Sequence, residues 1–246
     1  MTTAVEWLVP EWSASRRIRV VSTLRGGGVS AGPYHSLNLA SHVGDDAGSV
    51  AGNRRRLRDA AQLPAEPLWL DQVHGTTVVS NDGQDAPPRA DAAFATRPGR
   101  VCAVLTADCL PVVLADRAGT CIAVAHAGWR GLAAGVVEAT VAALDRNPRA
   151  LLAWLGPAIG PAAFEVGADV RDAFLRRSPG MTACFEPEAR GRFRADLYGL
   201  ARRVLAGAGV VEVYGGGRCT AGEPAHFFSF RRDRTTGRMA TLAWLD

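Results

Sequence analysis

What most narrows the folds open to this chain is a series of short apolar runs that barely alternate in polarity: IRVVSTL, TTVVS, VCAVLTA, PVVLAD and CIAVAHA. Alternation with period two marks a strand with one wet face. Its absence in β-branched runs marks strands buried on both faces. Helical patterns fall at about 52–61, 130–144, 168–177 and 197–206, and two further strands read as VEVYG and MATLAWL. Strands cluster near the middle and alternate with helices mainly in the second half. The expected class is α/β, a layered domain around a mixed sheet rather than pure βαβ winding.

The chain has 246 residues, 48% of them apolar, enough to bury a real core. The loop-like stretches 26–28, 82–89 and 215–217 are too short to be linkers, so residues 1–246 read as a single domain. No run approaches the roughly 20 apolar residues of a membrane span. The first arginines follow a short apolar segment instead of preceding it, the reverse of a secretory signal. A cytoplasmic, membrane-free protein is expected, and with no evident amphipathic interface helix, a monomer. Five cysteines without a C-x-x-C pair argue against a disulfide framework.

All 28 basic residues are arginine, against 24 acidic residues. Without lysine the chain can form no Schiff base and no P-loop of the usual kind. An anion in its active site must be held by arginine, backbone N–H groups or metal. Neither Arg54 to Arg56 nor the group Arg231, Arg232 and Arg234 sits in a basic run interleaved with aromatics, so nucleic acid is not an expected partner.

Two of the five histidines stand at strand ends: His74 in DQVHG, with a glycine after it, and His126 closing CIAVAHA before Gly128. Cys109 lies in ADCLP, between two apolar runs, where Pro111 forces extended chain. Two imidazoles and a thiolate are the ligand set of an open catalytic metal site, softened toward zinc or copper. The residues alone leave two alternatives open. Cys109 and His126 form a metal-free nucleophile and base, or all three are ordinary buried and turn residues.

Asp91 and Asp108 either orient ligand histidines or cap turns. His35, His42, Cys102, Cys121 and Cys184 read as structural, while Cys219 or His226 as a fourth ligand would mark a purely structural metal. The turn holding Gly128, Arg130 and Gly131 offers an anion holder at a helix start, unless Trp129 and Arg130 only pack there. Asn38 and Arg54 are further candidates for substrate contact, against an Asx-turn and an exposed helical arginine.

The segments YHSLNLASHVGDD, DQVHG, ADAAFAT, TADCLPVVLAD, AVAHAGWRGL, LGPAIGP and FFSFRRD, in this order, closely resemble the laccase-domain family. That family is also called multicopper polyphenol oxidase-like, and has been reinterpreted as purine nucleoside phosphorylases. The resemblance runs from about Val20 to the C-terminus. It implies one zinc held by His74, Cys109 and His126, and a three-layer α/β/α fold around a mixed sheet, similar to cysteine hydrolases that include a bacterial deamidating toxin. It further implies phosphorolysis of adenosine, inosine, guanosine or methylthioadenosine, and deamination of adenosine, with nucleoside and phosphate as partners. Two other activities attach to the family: hydrolytic editing of faulty peptidoglycan precursors, and copper-dependent polyphenol oxidation, for which five histidines supply too few ligands.

Overall fold

The computed structural model describes residues 4–83 and 87–246; positions 84–86, inside the expected loop 82–89, lie outside the described residues. The first half runs β1 (Trp7–Leu8), β2 (Ile18–Thr23), α1 (Ala47–Ala61), β3 (Val78–Ser80), β4 (Ala92–Ala95), β5 (Cys102–Thr106), β6 (Leu110–Asp116) and β7 (Ile122–Ala127). The second half runs α2 (Trp129–Ala134), α3 (Val136–Ala143), β8 (Leu151–Leu155), β9 (Glu165–Val166), α4 (Ala168–Leu175), β10 (Phe185–Pro187), β11 (Phe193–Ala195), α5 (Leu197–Gly207), β12 (Glu212–Gly215), α6 (Phe230–Asp233) and β13 (Met239–Leu245).

At the centre is the expected mixed sheet, six strands in the order β12-β8-β6-β7-β4-β3, parallel at its two rims and antiparallel between. Leu110, Val112 and Leu114 of β6 and Ala123 and Ala125 of β7 turn toward α3 and α5, in a core with Val137, Leu200 and Val204. Val113, Ala115, Ile122 and Val124 point the other way. There they meet Ile18, Val20, Val104, Ala243 and Leu245 from a second, antiparallel sheet ordered β1-β2-β13-β5. The outer face of that sheet is closed by Leu37, Leu39, Leu57 of α1 and Trp69. The structure thus adds a sheet between the mixed sheet and α1. It also explains the unalternating runs: a sheet covered on both faces has no wet side for polar residues.

Helix boundaries differ from the sequence reading in two places, each for a local reason. α1 begins at Ala47 because the Asp46 carboxylate accepts from the Ser49 N–H at 2.7 Å and caps it there. The pattern at 130–144 is two helices, since Gly135, with φ of 109°, leaves the right-handed region between α2 and α3.

A candidate metal centre on the floor of an arginine-edged cleft

β6 and β7 form a hairpin whose register pairs Leu110 with Ala127 and Pro111 with His126, so Cys109, one residue before β6, comes level with the start of α2. β4 runs beside β7 with Ala92 opposite Ala125, which brings Asp91 against His126. The turn bearing His74 leads toward β3, beside β4. Candidate ligands distant in sequence are thus neighbours at one end of one sheet. The Nδ1/Nε2 and Sγ donor atoms of His74, Cys109 and His126 lie within 4.8 Å of one another, and Cys109 Sγ is 3.9 Å from His74 Nε2.

Asp91 organises this end. Fully buried, its carboxylate accepts from the backbone N–H groups of Val73, His74 and Gly75 at 3.2, 2.8 and 2.6 Å, and from His126 Nδ1 at 2.9 Å. The turn that carries His74, itself at φ of 60°, is held by the side chain that fixes the His126 ring. With Nδ1 engaged, Nε2 of His126 is left facing the cluster.

Asp108 does something else. Its carboxylate accepts from Thr220 Oγ1 and the Arg231 N–H, both at 2.6 Å, and so ties the C-terminal segment to the cleft.

Burial disfavours the Cys109 thiolate, but the His126 and His74 imidazoles outweigh it and bring the thiol down to about 6. Burial likewise works against a charged His126, and the Cys109 thiolate and Asp91 more than compensate, lifting it to about 9. Without metal the two therefore form a thiolate–imidazolium pair. Burial pushes the thiols of Cys102 and Cys121 up instead, to about 12 and about 11, in keeping with structural roles.

Space at the cluster is tight. A Cβ on Gly128 would stand 2.7 Å from Cys109 Sγ and 3.2 Å from a ring carbon of His74, and one on Gly131 3.2 Å from the Gly75 carbonyl. Both glycines serve this internal approach. The turn holding Gly128, Arg130 and Gly131 opens α2, a helix of six residues, and Arg130 reaches the cleft above.

Above the cluster opens a cleft of about 400 Å³, walled by Trp129, Ile159, Phe164 and Phe230 and edged by Arg130, Arg231 and Arg238. His42, expected to be structural, also lines it. Asn38 and Arg54, expected to touch substrate, do not line it. The Asn38 amide is spent on Ala40 and Asp45, and Arg54 donates to the Leu39 carbonyl while stacking on Trp69 at 4.1 Å. Arg238 was missed by the sequence reading, which weighed Arg231 only within the group it forms with Arg232 and Arg234. Cys219 Sγ accepts from the Gly160 and Gly222 N–H groups and His226 is exposed, so neither joins the cluster.

The sequence profile of the family described as multi-copper polyphenol oxidoreductase laccase matches residues 19–246. The chain belongs to this laccase family. Relatives include the purine nucleoside phosphorylase YfiH of Escherichia coli, 52% identical over 239 residues that cover 97% of this chain and 98% of that one. A purine nucleoside phosphorylase of Pseudomonas aeruginosa is 54% identical over 240 residues, with the same coverage. Among solved structures, a Neisseria meningitidis protein superposes with a TM-score of 0.95 at 49% identity, covering 98% of this chain and 99% of that one. Like the expectation from hydropathy, no described helix of this laccase-family chain is long and apolar enough to cross a membrane.

Proposed function

We propose that this laccase-family chain is a zinc-dependent purine nucleoside phosphorylase that also deaminates adenosine in the same cleft, with nucleoside and phosphate as its partners and no nucleic acid or membrane involved. The observation that carries the reading is the single His74–Cys109–His126 cluster, its second imidazole oriented by buried Asp91, at the floor of an apolar cleft rimmed by three arginines. A thiolate and two neutral imidazoles fit zinc or copper and not magnesium. The described residues hold one such three-donor group, too few ligands for a multicopper oxidase. Bound there, zinc would supply a Lewis acid for charge developing on the substrate.

The chain's own residues do the rest. Trp129, Phe164 and Phe230 offer apolar and stacking surface to a flat purine. In phosphorolysis a phosphate oxygen attacks the ribose C1′, the bond to the purine nitrogen breaks, and the purine leaves with the electron pair. Arginines hold the attacking dianion, since the chain has no lysine to do so. In deamination water takes the place of phosphate, adding at the purine carbon and expelling ammonia.

Supplying adenosine with and without phosphate and identifying the products tests both activities: adenine with ribose 1-phosphate, or inosine. Metal-replete protein that converts no purine nucleoside would defeat the reading. Cys109→Ser is expected to lose both zinc content and turnover; full zinc retention would remove the ligand assignment.

A further inference from the structure

Among the described residues nine arginines, Arg19 and Arg117 for example, form salt bridges with carboxylates, whereas Arg130, Arg231 and Arg238 on the cleft form none. A half-buried cation without counter-charge is costly unless a ligand brings the missing charge.

The three are not equivalent. Arg130 is exposed and lies over the Trp129 ring at 4.5 Å. Arg238 is half-buried, and its position is built. Nη1 donates to its own segment's carbonyls at Thr236 and Gly237, 2.9 and 3.0 Å away, while Nε and Nη2 have no protein acceptor among the described residues. Its backbone N–H is held at 2.9 Å by Oδ1 of Asn38, a fully buried side chain gripped in turn by Ala40 and Asp45. A Cβ on Gly237 would stand 2.8 Å from the Phe228 ring and 2.9 Å from Asn38 Cβ, so the segment cannot shift easily. Burial lowers the Arg238 guanidinium from its ordinary value, against the opposing pull of Cys109 and Asp108 across the cleft. Arg231, on the same segment, is fixed through its N–H to Asp108 and through Nη1 to the Glu165 carbonyl at 2.9 Å.

We propose that Arg238, with Arg231 lining the same cleft, is its oxyanion site, seating a tetrahedral dianion such as orthophosphate, and that Asn38 serves this site as a positioning residue. The sequence reading weighed Asn38 as a substrate contact against an Asx-turn. The structure places it one step behind, holding the backbone of the arginine that meets the anion. Its catalytic use rests on the phosphorylase reading above; the binding itself does not.

The test is calorimetric titration of zinc-loaded protein with orthophosphate. Arg238→Gln is expected to weaken binding by about tenfold or more, the loss typical of a charge-assisted hydrogen bond. If Arg238→Gln fails to fold, Arg231→Gln carries the same expectation. Asn38→Ala is expected to raise the KM for phosphate while leaving the KM for nucleoside in place, a split that general loosening of the fold would not give. Undiminished binding in Arg238→Gln, or loss in Arg130→Gln alone, would overturn the site, as would wild-type protein that binds no phosphate. Arg238-dependent binding in a chain that turns over no nucleoside would keep the site and remove the phosphorylase reading. Phosphorolysis with a phosphate KM indifferent to Arg238→Gln would do the reverse.

Discussion

A single carboxylate governs the chemistry at the residue scale. Asp91 accepts three backbone N–H groups from the His74 turn and the Nδ1–H of His126. Asp91→Asn keeps the shape but replaces an acceptor with a donor. Zinc affinity is expected to fall by about 10- to 100-fold, read by competition with a coloured chelator. The Cys109–His126 pair sets a pH window. The thiol, depressed from 9.0 to about 6, contributes stability that is complete above 9 and lost as pH falls through about 6. The imidazole, raised from 6.5 to about 9, contributes stability that is complete below 6.5 and lost as pH rises through about 9. The two slopes offset each other between about 6 and 9, so the pair should leave the melting temperature of metal-free protein nearly level there while thiolate absorbance rises through about 6; a thiolate that forms only near 9 would contradict the ion pair. Little of this was legible beforehand. The histidines and the cysteine sit far apart in sequence and match no compact metal motif, so it was resemblance that singled them out. Arg238 gave no signal, because nothing about one arginine in a loop announces that its neighbours fix it.

Elements whose own residues suffice to specify them were readable, and those specified by their neighbours were not. MATLAWL and CIAVAHA are long, apolar and bounded, and they are β13 and β7. The two- and three-residue strands β1, β9, β10 and β11 exist only because a partner offers hydrogen bonds, which periodicity cannot reveal. The LLAWL run of β8 is indistinguishable by period from a buried helix segment. β8 also shows how elements are locked together. The Tyr198 hydroxyl of α5 accepts from the Ala158 N–H at 2.8 Å and lies 2.7 Å from the Arg218 carbonyl, joining the chain after β8 to the loop after β12. Tyr198→Phe leaves that buried N–H without a partner. A destabilisation of about 1–3 kcal/mol is expected in urea unfolding.

At the scale of the whole molecule, the cleft lies where the end of the mixed sheet meets the C-terminal segment, which returns past it to complete the second sheet as β13. The α/β class and the mixed sheet could be read from apolar runs and helix spacing. The second sheet could not, because a strand buried between two sheets and one buried between sheet and helix present the same unalternating residues. Ligands brought together only by finished strands cannot trap an ion in the unfolded chain as a local motif would, so zinc should raise the melting temperature without being needed to reach the fold. The cluster lies on the floor of the cleft that nucleoside is proposed to fill, so ion and substrate share one doorway. A seated nucleoside then acts as a stopper: stripping of zinc by a chelator should slow as nucleoside approaches saturation, and a resting molecule should lose its metal sooner than a working one.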